Sequence, residues 1–216
     1  MLSKLLQIPN LISLSRILLI PFIAYSLAQG DSRSTLISVI LVIIAGITDG
    51  LDGYLARRLN QVSQFGIALD PIVDKIFAGV LVILLIFYRE FPLWLAGMIV
   101  GRDLLILIAG LFLLQGRKIV LPSNITGKYT FTVIAFLLGS YIIRFNFGIE
   151  LMTYLTVSLL IVSTASYYRV FLLIKKGGLV PVFKDRQIYR ILRIGISIII
   201  LGLFTYKLMI EFFINI

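Results

Sequence analysis

Cysteine and histidine are both absent from the 216 residues. Their absence removes disulfides, thiolate nucleophiles, imidazole general bases and the usual zinc sites. Charge is also scarce: 14% of residues are charged, against about 25% in soluble domains. Acids are the rarer sign, with 10 against 20 basic residues and a net charge of +10. What fills the chain instead is apolar, 60% of all residues, with a mean hydropathy of +1.07. Too little polar surface remains to solvate a globule, so the chain must sit in a bilayer. The same shortage excludes a nucleic-acid partner, which needs a long polar face. Any metal here must be held by oxygen, which points to Mg²⁺, Mn²⁺ or Ca²⁺.

A spanning helix needs about 20 mostly apolar residues. Seven stretches approach that: Leu11–Ala28, Thr35–Leu55, Pro71–Tyr88, Pro92–Leu114, Tyr129–Ile143, Leu151–Ile174 and Ile191–Phe213. Turn chemistry separates them, as at Gly30-Asp31-Ser32, Glu90-Phe91-Pro92 and Asn146-Phe147-Gly148. The runs are continuous rather than alternating, so a β-barrel is excluded. The expected fold is an all-α polytopic membrane protein. Lys4 before an apolar run, with Ser26-Leu27-Ala28 after it, superficially resembles a signal peptide. Asn10 and Arg16 interrupt that run, and residues 1–9 read better as a short interfacial helix.

Basic residues set the orientation. With the N-terminus in the cytoplasm, Arg33, Arg89 and Arg144 fall in outer turns and Lys207 near the outer end of the last span. Arg102 lies within the fourth span, and the remaining basic residues fall on the inner side. Residues 57–74 are then cytoplasmic.

Ionisable residues at membrane depth are costly and are functional candidates by default. Asp49, Asp52, Asp70, Asp74 and Asp103 are in or beside apolar helices. Asp49 and Asp52 are three apart, and Asp70 and Asp74 four apart, so each pair shares a helix face. On adjacent antiparallel helices, all four carboxylates converge near one end. Together they repel one another unless cations neutralise them. Histidine is absent and nearby Lys or Arg residues are few, so divalent metal is the simple remedy, and Mg²⁺ suits carboxylate oxygens with room for phosphate and water. The plain alternative is that they cap helices or pair with Arg57, Arg58 and Lys75. Gly50, Gly53, Ala56 and Gly66 leave room for a flat ligand or for helix packing. Arg57 is placed to hold a phosphate oxygen.

The run from Asp49 to Asp74 matches the pattern D-x2-D-G-x2-A-R-x8-G-x3-D-x3-D at all eight fixed positions. It resembles the signature of CDP-alcohol phosphatidyltransferases, and residues 5–176 resemble the family's six-helix body. The resemblance implies an enzyme of membrane phospholipid synthesis. It would move a phosphatidyl group from CDP-diacylglycerol to an alcohol acceptor and release CMP. It implies two divalent cations, Mg²⁺ or Mn²⁺, on Asp49, Asp52, Asp70 and Asp74, with Asp74 also the catalytic base. Gly53, Ala56, Arg57 and Gly66 would line the CDP site. The family is commonly homodimeric, so a homodimer is expected.

The opening Ile8-Pro9-Asn10-x2-Ser13-x2-Arg16, and Asp70-Pro71-x2-Asp74-Lys75, resemble the branch that accepts sn-glycerol 3-phosphate. That dianion needs basic partners, for which Arg102, Arg117, Lys118 and Lys128 are the foremost candidates. Arg102 has the alternative of pairing with the adjacent Asp103. Gly101-Arg102-Asp103 and Ser163-Thr164-Ala165-Ser166-Tyr167-Tyr168 look more like cardiolipin synthases, which accept phosphatidylglycerol. Glycerophosphate ranks first, phosphatidylglycerol second, and another alcohol such as inositol phosphate or serine third. Residues 1–176 would form the catalytic domain. Residues 177–216 would add a basic loop that contacts anionic lipids and an extra membrane helix. The rival class is a cation channel or transporter. It fits poorly, because the acids lie near one face and no repeat or broken helix pair is evident.

Overall fold

The computed structural model describes residues 8–58, 64–117, 125–175 and 187–214, all but short turns of them helical. Seven helices follow in order: α1 Ile8–Gln29, α2 Ser32–Arg58, α3 Gln64–Arg89, α4 Leu93–Arg117, α5 Ile125–Ile143, α6 Asn146–Lys175 and α7 Gln187–Ile214. Each contains one of the seven expected apolar stretches nearly whole. Five described segments are long and apolar enough to cross a membrane: Asn10–Gln29, Ser32–Asp52, Ile125–Ile143, Asn146–Ile174 and Arg193–Glu211. The protein is a multi-pass integral membrane protein. Of the expected interfacial helix, residues 1–7 lie outside the described residues, and Ile8 and Pro9 open α1.

The chain divides into two compact units, Met1–Leu93 with Tyr141–Ile143, and Trp94–Ser140 with Arg144–Ile216. In the first, α1 packs against both α2 and α3. Ile23, Leu27, Ala45, Val73, Leu81 and Leu85 are buried there. Lipid offers no hydrophobic drive between helices, so close approach and polar contacts hold them. Ser26 of α1 and Ser38 of α2 hydrogen-bond through their hydroxyls at 2.7 Å, both buried.

The turns explain themselves locally. α1 ends at Gly30, whose φ of 74° lies in the left-handed region that favours a residue without Cβ. Asp31 then caps α2, its Oδ2 accepting from the amides of Arg33 at 3.1 Å and Ser34 at 3.2 Å. Hydrogen bonds from Ser34, hydroxyl foremost, then its amide, hold the Asp31 carboxyl below the usual range. Glu90 and Arg144 take φ of 56° after α3 and α5, a conformation costing about 1–2 kcal/mol outside glycine. Each is followed by a buried phenylalanine whose amide bonds back into its helix: Phe91 to Leu85 O at 3.1 Å and Phe145 to Ser140 O at 2.9 Å. Burial of those rings offsets the strained residue.

Arg89, at the end of α3, is buried. Its guanidinium donates to the carbonyls of Ile142 (3.3 Å), Leu27 (3.2 Å) and Tyr88 (2.9 Å) and to the Thr35 hydroxyl (3.2 Å). Helix C-terminal carbonyls have no intrahelical donor, so this one cation satisfies the ends of α1 and α5 at once.

In the second unit, Leu95, Leu137, Leu138, Met152, Leu160 and Val170 are buried. α7 meets α6 along a thin contact. Among its described side chains Phe204 alone is buried. It stacks edge-on against Phe136 (5.4 Å) and Phe145 (5.1 Å).

Candidate active site

α1 presents Asn10, Ser13 and Arg16 at successive turns, and all three are buried. Spacing of three places them on one face. Because α1 packs on both α2 and α3, that face reaches the acids of both helices. Arg16 Nη1 donates to Asp49 Oδ1 at 2.9 Å and to Asp74 Oδ1. Its Nη2 donates to Asp52 Oδ2. The Ser13 hydroxyl donates to the same Asp52 oxygen at 2.8 Å. Arg16 Nε has no hydrogen-bond partner among the described residues.

Three of the four expected carboxylates therefore share one site. Asp49 and Asp52 share a face of α2, as their spacing requires, and Asp74 reaches them from α3. Asp52 is buried, whereas the Asp49 side chain is 49% exposed and that of Asp74 34%. The site is thus closed beneath Asp52 and open at Asp49 and Asp74. Asp70, Gly53, Ala56, Arg57 and Gly66 are described by their backbones alone, in α2 and α3.

One expectation is corrected. Few Lys or Arg residues lie near the acids along the chain, yet Arg16 stands among them. It comes from a helix 33 to 58 positions earlier in sequence, so counting neighbours along the chain could not find it. A signal was present: an arginine inside an apolar span calls for a partner. Among the described residues no three acids stand close enough together to form a metal cage by themselves. The donor set still fits a hard divalent ion. Three carboxylates face one guanidinium, an excess of two negative charges when all are ionised, and every donor is oxygen.

Arg102, in the other unit, is also held. Its Nη1 bonds Asp103 Oδ1 at 2.7 Å, its Nη2 bonds the buried Ser163 hydroxyl at 2.8 Å, and its guanidinium stands 5.6 Å from the Tyr167 ring centre. The pairing with Asp103, foreseen as the alternative role, is present. A Cβ on Gly127 would stand 3.2 Å from the Tyr167 hydroxyl and 3.3 Å from Arg102 Nη2, so glycine admits this cluster. Lys128 is exposed on α5. The Arg117 side chain and all of Lys118 lie outside the described residues.

Residues 6–173 match the CDP-alcohol phosphatidyltransferase family. The chain belongs to this family. It is similar to a probable CMP-forming cardiolipin synthase of Drosophila melanogaster, 38% identical over 153 residues, which covers 70% of this chain and 46% of that protein. It is also similar to the CDP-diacylglycerol–glycerol-3-phosphate 3-phosphatidyltransferase of Aquifex aeolicus, 35% identical over 161 residues, covering 73% of this chain and 88% of the relative. A protein of the same name from Bacillus subtilis is 38% identical over 135 residues, 56% of this chain and 69% of its own. The chain thus spans under half of the fly protein and most of the two bacterial ones. As a CDP-alcohol phosphatidyltransferase, it is a transferase of phospholipid synthesis, and Asp49, Asp52 and Asp74 are gathered at its Arg16.

Proposed function

We propose that this enzyme transfers the phosphatidyl group of CDP-diacylglycerol to sn-glycerol 3-phosphate, forming phosphatidylglycerophosphate and CMP. The gathering of Asp49, Asp52 and Asp74 from two helices carries the catalytic part of this reading. The acceptor rests on coverage: the Aquifex relative, named for that acceptor, corresponds along 88% of its length.

Asp49, Asp52, Asp70 and Asp74 would hold two divalent cations, Mg²⁺ or Mn²⁺. Bound there, the cations supply positive charge to the diphosphate. Asp74, on the open side, takes the proton of the acceptor hydroxyl. The hydroxyl oxygen bonds to the β-phosphorus as the bond from that phosphorus to the CMP oxygen breaks. A carboxylate suits the base role in a chain without His or Cys. Ser13 and Arg16 fix the orientation of buried Asp52. Gly53, Ala56, Arg57 and Gly66 line the CDP site, and the protein works as a homodimer with this site facing the cytoplasm. Lys128, with Arg102, Arg117 and Lys118, would meet the acceptor phosphate.

A second reading takes phosphatidylglycerol as acceptor, as in cardiolipin synthesis. The Arg102–Asp103 pair favours it, because a neutralised arginine attracts a dianion poorly. One assay decides: purified protein with CDP-diacylglycerol, Mg²⁺ and each alcohol in turn. CMP release with glycerol 3-phosphate alone supports the first reading, and release with phosphatidylglycerol alone replaces it. Release with neither, across all alcohols, refutes both.

A further inference from the structure

The second unit contains a cavity of about 1350 Å³ between α5, α6 and α7. Apolar side chains line most of it; Thr132, Ser158 and Ser197 add hydroxyls between its ends, and its one charged lining residue, Arg193, stands at one end. At one end stand Thr126 and Tyr129 of α5, Ser166 of α6 and Arg193 of α7. At the other end Phe136 and Phe204 line it, and Phe204 stacks edge-on against both Phe136 and Phe145. Along α7 the lining runs from Arg193 to Phe204, about 16 Å at ~1.5 Å per residue. Half of a ~30 Å hydrocarbon core is about 15 Å. The cavity therefore has the length of one leaflet, a cation and hydroxyls at one end, and a dry aromatic floor at the other.

We propose that this cavity is a binding site for one anionic glycerophospholipid, with its phosphate at Arg193 and its acyl chains running toward Phe204. Three observations support this occupant. A space this large and apolar is not left empty in a bilayer, where lipid chains are the surrounding solvent. The polarity gradient matches a lipid and not a uniformly apolar helix from a partner. Arg193 supplies the complementary charge, and Arg190 stands exposed one turn before it. α7 contacts α6 too thinly to fill the gap, so the lipid serves as packing between α7 and the helices beside it. Its lining includes none of the catalytic carboxylates, and the proposal does not rest on the acceptor assigned above.

The test is native mass spectrometry of the full chain in mild detergent, titrated with phosphatidic acid or phosphatidylethanolamine of identical chains. Neither lipid carries a candidate acceptor alcohol. Wild type is expected to retain one phosphatidic acid in preference to phosphatidylethanolamine. Arg193→Gln should weaken phosphatidic acid about ten-fold or more, the loss of a charge-assisted contact, and Arg193→Lys should restore most of it. Ser197→Trp, which fills the cavity from α7, should exclude both lipids. Asp52→Asn in EDTA separates the sites: lipid retained there, with the catalytic cations removed as well, lies outside the catalytic cluster, and lipid lost only there overturns the proposal. Equal retention of both lipids, or an unchanged Arg193→Gln, also overturns it. So does a dimer that binds no lipid and dissociates on Ser197→Trp, because a second copy would then be the occupant. If Ser197→Trp fails to fold, the Arg193 pair decides alone, since neither replacement enlarges a packed side chain.

Discussion

Arg16 on α1 and Asp52 on α2 form a buried ion pair that the Ser13 hydroxyl completes from the same face of α1. The pair joins the first helix to the signature helix, and the other two acids are arranged around the same guanidinium. Removing one partner of a buried pair typically costs about 3–5 kcal/mol, because the other charge is left uncompensated. Arg16→Gln should therefore lower stability by about that much in chelator, read as unfolding in detergent. Adding Mg²⁺ should return part of the loss, since a divalent ion supplies the missing positive charge. An Arg16→Gln protein as stable as wild type in EDTA would show that the pair contributes nothing.

The acids should divide by burial. Asp49→Ala and Asp70→Ala should abolish transfer while leaving the protein folded, the first because half of its side chain is exposed. Asp52→Ala should abolish transfer and also destabilise, because it strands Arg16 and Ser13. EDTA should silence wild type, and Mg²⁺ or Mn²⁺ should restore it. CMP release together with melting temperature separates the two effects. Full activity in chelator would end the metal reading.

The acceptor prediction follows from the held arginine. If the acceptor carries a phosphate, Lys128→Gln should raise its KM about 10–150-fold, the loss of ~1.5–3 kcal/mol from one charge-assisted contact. Asp103→Asn should lower that KM, because it removes the carboxylate that competes for Arg102. Steady-state kinetics on both variants are sufficient. Unchanged KM in both places the acceptor phosphate elsewhere or favours phosphatidylglycerol.

Arg89 should matter to the fold alone. Arg89→Met retains an apolar stem but strands the carbonyls of Leu27 and Ile142. Bonds to a charged donor contribute about 1.5–3 kcal/mol each, so unfolding should shift by at least that amount. The Mg²⁺ concentration for half-maximal activity should stay at the wild-type value in whatever fraction folds.

The seven helices were legible because each apolar run is continuous and turn residues interrupt it. Asp49 and Asp52 were legible together because a spacing of three fixes a shared face whatever packs beside them. Arg16 and Arg89 were not. Both act across helix contacts between distant parts of the chain, and sequence spacing says nothing about which residue of another helix arrives. Each was an arginine in or beside an apolar run, so a demand for partners was visible while the partners were not. Arg102 lay between these cases: its adjacent partner Asp103 was readable, and its contacts with Ser163 and Tyr167 on α6 were not.

Asp74 separates a base from a ligand. Its carboxylate is about one-third exposed and accepts from Arg16, so one oxygen is held while its surroundings stay open. Asp74→Asn keeps the size and can still accept from Arg16 through its amide oxygen. If Asp74 is the general base, CDP-diacylglycerol binding should persist, because Asp49, Asp52 and Asp70 remain. Transfer should fall about 10²–10⁴-fold, since an amide cannot take the hydroxyl proton. If Asp74 only completes a metal site, mass action should compensate, and a large excess of Mg²⁺ should recover much of the rate. The deciding curve is kcat of Asp74→Asn against Mg²⁺ concentration, with Asp49→Asn as the ligand control. A flat curve for Asp74→Asn beside a rising one for Asp49→Asn assigns the base. A rise toward wild type in both leaves Asp74 as a ligand and moves proton transfer to another group.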